Sequence, residues 1–154
     1  MQNKTCCCFG HRQIYAFPKD LLEKQIEALI CQQNVTTFLT GGMRDFDCKF
    51  STAVRKFKKV HSNIKLILIK PYFTNEINTY GKSYEQLYDA LIVPDELANI
   101  HYKAAIGKRN QWMIDHSNIV LCYVHRNYGG AYQAIKYAKK QQKPVINIAN
   151  QFHQ

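Results

Sequence analysis

The stretch that decides the fold runs from Asn118 to Ile148 and reads NIVLCYVHRNYGGAYQAIKYAKKQQKPVINI. Residues 118–124 form an apolar run of strand length, and residues 143–148 form a second one. Between them, residues 129–142 repeat apolar positions at helical spacing and begin at a glycine pair. Two apolar strands joined by a helix are typical of a parallel sheet that is covered by helices.

The rest of the chain repeats this alternation. The sequence predicts further strands at 4–10, 35–42 and 63–71, and further helices at 18–34, 46–61 and 101–117. Residues 72–100 are less regular and rich in tyrosine, and we expect a loop there with a short helix near 83–92. The sequence therefore predicts a single doubly wound α/β domain over residues 1–154. We expect its mostly parallel, Rossmann-like sheet to have five or more strands and helices on both faces.

The length, charge and composition of the chain limit the classes of function that we expect for it. The 154 residues suffice for one domain with a buried core, and the formal net charge of +10 favours anionic partners. Residues 116–154 contain no Asp or Glu, so this segment cannot supply a carboxylate for acid–base catalysis. No apolar run reaches the roughly 20 residues that span a bilayer, and no signal peptide is visible. We therefore expect a cytoplasmic protein with no membrane partner.

Three adjacent cysteines, Cys6, Cys7 and Cys8, precede Gly10-His11-Arg12. Consecutive residues of a strand point to opposite faces, so these thiols cannot converge on one metal ion. The loop spacing C-x₂₋₄-C that zinc sites use is missing from the chain. We expect reduced thiols buried in the core, no metal site and no bound cofactor.

The loops after the strands carry the candidate site, because ligands of open parallel sheets bind beyond the carboxyl ends of the strands. Two glycine pairs stand at such ends, where the backbone can turn sharply and a helix start can direct free N–H groups at an anion. The glycine pairs also have a purely structural explanation, because strand-to-helix turns need glycine whether or not they bind a ligand. His11 is as well suited to a local hydrogen bond as to contact with a ligand. The candidate ligand-binding residues are Gly10, His11, Arg12, Gly41, Gly42, Arg44, Asp47, Arg109, Asn110, Gly129 and Gly130, with Arg126 as a further cation.

Two common nucleotide motifs are missing. No G-x-G-x-x-G follows the first strand, and no G-x-x-x-x-G-K-[ST] occurs anywhere. Ordinary NAD-dependent hydride transfer and P-loop NTPase activity are therefore not favoured.

Four segments in order resemble the SLOG superfamily, which is named for the Smf/DprA DNA-processing proteins and the LOG phosphoribohydrolases. They are CCCFGHR, the glycine turn followed by Asp47, KRNQWMIDHSNIVLCYV and GGAYQAIKYAKKQQKPVINI. The branch that they resemble contains small bacterial and phage proteins related to YpsA. The resemblance spans residues 4–148 and implies a Rossmann-like domain that binds a nucleotide-derived small molecule. It also implies a homo-oligomer, a dimer or tetramer, for which the apolar helix surface around Trp112 and Met113 is a further indication.

The third loop departs from the phosphoribohydrolases. Those enzymes resemble P-G-G-x-G-T-x-x-E, whose glutamate assists cleavage of the N-glycosidic bond. Here residues 128–135 read YGGAYQAI, without the Gly-Thr and without the glutamate. The leading hypothesis is a protein that senses or sequesters an NAD-derived or cyclic nucleotide signal without turnover.

Two alternatives stay open at this point. The first is an N-glycoside hydrolase or transferase that uses Asp47 or Asp45. Asp47 is equally suited to bonding a ribose hydroxyl or capping its helix. The second is single-stranded nucleic-acid binding, which would weaken steeply with salt.

Overall fold

Six parallel strands form one sheet in the computed structural model, which describes residues 2–14, 16–73 and 86–152. The strands are β1 (Lys4–Gly10), β2 (Val35–Thr40), β3 (Lys65–Ile69), β4 (Ala90–Ile92), β5 (Ile119–Tyr123) and β6 (Val145–Asn147), in the order β4-β3-β2-β1-β5-β6. The order reverses at β1, which lies between β2 and β5. Such a reversal opens a crevice at the carboxyl ends of the strands. The prediction of a doubly wound parallel sheet is confirmed.

Helices cover both faces of the sheet. They are α1 (Lys19–Gln33), α2 (Asp45–Lys58), α3 (Tyr102–Asp115), α4 (Gly130–Lys140) and α5 (Ile148–Phe152), with a 3₁₀ helix at Asp95–Leu97. No helix within the described ranges is both long enough and apolar enough to cross a membrane.

Two hydrophobic cores lie on the two sides of the sheet, and the three cysteines are divided between them. Cys6 and Cys8 face the core that contains residues of α1 and α2, whereas Cys7 faces the core that contains residues of α3 and α4. All three are buried, and burial raises the pKa of Cys7 to about 12 and those of its two neighbours well above their usual range. The prediction of buried core thiols is confirmed.

Two segments differ from the prediction. Residues 90–92 form the edge strand β4, paired with β3, within the stretch where a short helix near 83–92 was expected; residues 86–87 are helical, and residues 83–85 lie outside the described residues. The last predicted strand is shorter than expected, because Ile148 already begins α5. An edge strand of three residues has too few positions to display an apolar pattern, which explains the first difference.

The helix surface expected at an oligomer interface is partly internal. Met113 is fully buried in the core. Trp112 is half-buried, stacks on the His116 ring at 3.9 Å and donates its indole N–H to Glu96. Met113 is therefore not available to a partner, and the homo-oligomer stays a prediction that the family resemblance implies.

Candidate functional site

The loops after β1, β2 and β5 meet at the crevice. Gly10 and Tyr123 are paired across β1 and β5, so the two loops that follow begin side by side. The loop after β1 is joined to the start of α2, because the Asp45 N–H donates to the Arg12 carbonyl at 3.2 Å. The Ile14 N–H in turn donates to the Asp45 carboxylate at 3.1 Å. These contacts bring together basic side chains that are far apart in the sequence.

A pocket of about 150 Å³ lies at this junction, hereafter the arginine pocket. Its lining residues are His11, Arg12, Arg44, Arg126, Tyr128, Gly129, Gly130 and Ala131. Among the described residues, no Asp or Glu lines it. The pocket is thus a strongly cationic concavity at the point where a Rossmann-like sheet binds its ligands.

The three guanidinium groups of this pocket are available to an anion. Within the described ranges, none of them forms an ion pair with a carboxylate. The Nε atom of Arg126 is buried and has no hydrogen-bond partner among those residues. A buried donor without a partner is costly, so a bound anion that accepted from it would remove that cost.

The start of α4 adds backbone donors to the arginine pocket. Gly129 precedes the helix with φ of +95°, a backbone conformation that glycine adopts without strain. The first bond of the helix joins the Gln133 N–H to the Gly129 carbonyl at 3.0 Å. The N–H groups of residues 130–132 therefore precede the helical ladder and are free to meet an anion. A Cβ on Gly130 would lie 3.1 Å from Nη2 of Arg44, so the glycine also lets this arginine approach.

His11 closes the floor of the pocket. It is 4% exposed, and its Nε2 accepts the His125 N–H at 3.0 Å, which places the ring proton on Nδ1. Burial and the charges of Arg126, His125 and Arg44 lower the pKa of His11 to about 4, so the ring is neutral near pH 7. His11 thus combines the two interpretations of the sequence: it makes a local hydrogen bond between two loops, and it lines the pocket.

The Asp47 carboxylate holds the backbone at the start of α2. Its Oδ2 accepts the backbone N–H groups of Met43 and Arg44 at 3.1 and 3.3 Å, and its Oδ1 lies 3.7 Å from the Cys8 Sγ. It is 4% exposed, and burial raises its pKa, opposed by the Met43 hydrogen bond, the charge of Arg109 and the Arg44 hydrogen bond. Of the three interpretations that the sequence left open, the structure shows helix capping.

Arg109 and Asn110 lie behind the arginine pocket. The Arg109 guanidinium is buried and donates to the Ile69 carbonyl at 3.1 Å and to the Asn110 Oδ1 at 3.0 Å. A Cβ on Gly41 would lie 2.7 Å from this guanidinium, which explains the glycine there. Together with Asp47, and with Arg44 and Ala131 of the arginine pocket, these residues line a cavity of about 10 Å³, enough for about one water molecule.

The predicted site residues therefore separate into two groups. His11, Arg12, Arg44, Gly129 and Gly130 line the arginine pocket, whereas Gly10, Gly41, Gly42, Asp47, Arg109 and Asn110 support the loops behind it. Sequence reasoning missed Tyr128, although an aromatic residue directly before a glycine pair at a strand end was a usable signal.

Asp45, the other candidate carboxylate, and Asp115 are also engaged in other contacts. Asp45 holds the loop after β1 by accepting the Ile14 N–H. Asp115 ends α3, at the amino edge of the sheet, and accepts the Tyr137 hydroxyl at 2.8 Å. Neither one lines the arginine pocket.

A comparison with known protein families shows to which family the chain belongs. The model of the YpsA family, described as the YspA SLOG family, matches residues 6–151. This chain belongs to the YspA SLOG family. The SPbeta prophage-derived protein YoqJ of Bacillus subtilis strain 168 is 31% identical to this SLOG protein, in an alignment that covers 79% of this chain and 80% of YoqJ. The family resemblance seen in the sequence is thereby confirmed.

Solved structures share the fold of this SLOG protein. DNA processing protein A from Helicobacter pylori, whose single-stranded DNA binding mode has been described, superposes with a TM-score of 0.63 at 18% identity over 92% of this chain. DNA processing protein A from Streptococcus pneumoniae gives 0.63 at 15% identity over 93%. The chain spans 63% and 49% of those two proteins. The molybdenum cofactor carrier protein of Chlamydomonas reinhardtii gives 0.54 at 14% identity, over 98% of this chain and 82% of the carrier. These likenesses show the Rossmann-like fold.

Proposed function

We propose that this SLOG protein binds a small nucleotide-derived ligand through its phosphate and releases it unchanged. Such a protein senses or sequesters a signal, for example an NAD-derived or cyclic nucleotide. The observation that carries the proposal is the arginine pocket, which three arginines and the start of α4 line together, without a carboxylate among the lining residues described. Charge-assisted bonds from arginine and a helix start are the usual protein ligands of phosphate.

Binding without turnover is favoured because the carboxylates near the pocket are already engaged. Cleavage of an N-glycosidic bond needs a group that stabilises positive charge at the sugar or moves a proton. Asp47 is buried behind the pocket with its Oδ2 accepting two backbone N–H groups, and Asp45 holds the Arg12–Ile14 loop. The hydrolase or transferase alternative would have to release one of them from these bonds.

Single-stranded nucleic-acid binding is a second candidate function. Tyr72, Phe73 and Tyr128 are exposed and follow β3 and β5 at the same edge as the arginines. Aromatic platforms beside a basic groove suit single strands, and DNA processing protein A from H. pylori, which shares the fold, binds single-stranded DNA. This function predicts affinity for an oligonucleotide that falls steeply between 50 and about 200 mM salt.

A thermal-shift panel tests the proposal. Mononucleotides, dinucleotides, ADP-ribose forms and cyclic nucleotides are added to the protein, and each hit is recovered and identified by mass spectrometry. A ligand at 100 times its Kd stabilises by about 2.7 kcal/mol, which raises the Tm of a domain of this size by about 5–10 °C. We expect recovery of the intact ligand.

Matched variants assign the binding to the pocket. Arg126→Gln should reduce the shift by about half or more, since a tenfold weaker Kd leaves about 1.4 kcal/mol of the stabilisation. Lys140→Gln removes the same charge from the exposed end of α4, at the opposite edge of the sheet, and should keep the full shift. Recovery of a free base and a sugar phosphate would contradict binding without turnover. Equal loss of the shift in both variants would contradict the assignment to this pocket.

A further inference from the structure

The arginine pocket is too small for a whole nucleotide. Its volume is about 150 Å³, whereas pockets that enclose a drug-sized ligand measure roughly 300–1,000 Å³. The pocket can therefore hold phosphate groups, and the nucleoside has to lie against whatever surface surrounds its mouth.

Tyr128 is the aromatic residue of that mouth. It lines the pocket and is 61% exposed, and the Arg126 guanidinium lies 5.4 Å from its ring centroid. Arg126 occupies one face of the ring, and the exposure leaves much of the remaining ring surface to solvent. Met43, Tyr72 and Phe73 are also exposed at this edge, but they do not line the pocket.

We propose that Tyr128 is the platform on which the base of the ligand stacks, and that the ligand is a nucleoside diphosphate or a conjugate with a diphosphate. This proposal rests on the proposed function of the same site. Arg126 links the two parts of the ligand, because the guanidinium that lies over the Tyr128 ring also carries the buried, unpartnered Nε. A phosphate bound to Arg126 therefore places the attached nucleoside beside the ring.

The charge of the pocket favours a diphosphate over a monophosphate. Arg12, Arg44 and Arg126 bring three positive charges, and no carboxylate among the described lining residues offsets them. His11 is neutral and offers Nδ1–H as a donor rather than a charge. Two linked phosphate groups match this set of donors better than one, since each guanidinium can then meet a charged oxygen.

Stacking of a base on an aromatic side chain predicts a change in affinity of roughly 5- to 150-fold, largely independent of the base. The experiment measures Kd by calorimetric titration for ADP, GDP, UDP and inorganic pyrophosphate. The proteins are the wild type, Tyr128→Phe, Tyr128→Leu and, as a control, Tyr102→Leu. Tyr102 is a similarly exposed tyrosine, 63%, at the start of α3 and outside the pocket lining.

We expect Tyr128→Leu to weaken the nucleoside diphosphates roughly 5- to 150-fold and to leave pyrophosphate unchanged. Tyr128→Phe and Tyr102→Leu should both bind like the wild type. Pyrophosphate binding without tighter binding of any nucleoside diphosphate would overturn the platform and leave the proposed function intact. If Tyr128→Leu weakened pyrophosphate as much as the nucleoside diphosphates, the platform proposal would also be overturned, because the ring would then affect binding only through Arg126.

Two further outcomes separate this proposal from the function on which it rests. If neither pyrophosphate nor any nucleotide binds to the wild type, the proposed function fails, and the platform fails with it. If an oligothymidine strand binds and loses affinity in Tyr128→Leu while the nucleoside diphosphates do not bind, the ring serves single strands and the proposal is overturned.

Discussion

Replacement of Asp47 by alanine and by asparagine separates a structural carboxyl group from a catalytic one. Asp47→Ala removes the oxygen that accepts the Met43 and Arg44 N–H groups and leaves two partly buried donors without a partner. Each such donor costs about 1–3 kcal/mol, so the two together cost about 2–6 kcal/mol. Because the small cavity beside them has room for about one water molecule, we expect a total loss in the lower half of this range, about 3 kcal/mol. In a domain of this size that loss lowers the Tm by about 6–12 °C.

Asp47→Asn keeps an accepting oxygen and removes only the charge. Burial raises the pKa of Asp47, which means that the folded protein disfavours the charged form relative to the unfolded chain. Loss of the charge is therefore tolerated, and we expect a change within about 1 kcal/mol, or about 2–4 °C in Tm.

Thermal unfolding followed by circular dichroism at pH 7 measures both variants, with Asp45→Ala as a control that removes the acceptor of one exposed N–H bond. An asparagine variant as unstable as the alanine variant would refute the reasoning, because the charge itself would then be required. If Asp47→Asn folds like the wild type but abolishes a nucleotide turnover that the wild type performs, Asp47 is catalytic and the structural assignment is wrong.

Further predictions concern the glycines, His11 and the arginines. Gly10→Ala should cost about 1–3 kcal/mol by chemical denaturation, because its Cβ would overlap the Phe46 Cβ. Gly107→Ala, in the exposed middle of α3 with no atom within 4 Å of the added Cβ, should instead stabilise by up to about 1 kcal/mol; a loss there would contradict the packing described. The pKa of His11 is lowered from 6.5 in the unfolded chain to about 4 in the folded protein. Between pH 6.5 and 4 the unfolded chain therefore takes up a proton that the folded protein does not, and the stability should fall as the pH drops through this interval. A pH series of denaturation midpoints should show a shallower fall in His11→Gln, and an unchanged slope would exclude the assigned protonation state. Arg44→Gln and Arg126→Gln should each weaken the binding of pyrophosphate about tenfold or more in calorimetric titrations, since each variant loses a charge-assisted bond of about 1.5–3 kcal/mol. An effect no larger than that of Lys140→Gln would contradict the assignment of phosphate binding to the arginine pocket.

The sheet was readable from the sequence because its central strands are buried on both faces. Lys4–Gly10 and Ile119–Tyr123 are apolar over nearly their whole length, and such runs separated by helical spacing leave few other folds. Ala90–Ile92 was missed because an edge strand of three partly exposed residues carries no such run.

The location of the site was predictable from the sequence, but the roles of its individual residues were not. The glycine turns and arginines marked the carboxyl edge, since topology alone places ligands there. Which glycine meets a ligand depends on contacts between distant residues: Gly41 makes room for Arg109, and Gly10 makes room for Phe46. Packing of this kind leaves no trace in local sequence patterns, and the sequence alone therefore grouped Arg109 with Arg126.

Phosphorus and proton NMR of ADP mixed with an equal amount of protein test the central claim most directly, because the phosphorus signals report contact with the phosphates and the ribose H1′ signal reports cleavage of the N-glycosidic bond. We expect the two phosphorus signals to shift or broaden with the wild type and to move back towards their free positions with Arg126→Gln, and the H1′ signal of ADP to keep its intensity over a day. Phosphorus signals that never respond to the protein, or an H1′ signal of ADP that is replaced by that of a free sugar phosphate, would contradict binding without turnover.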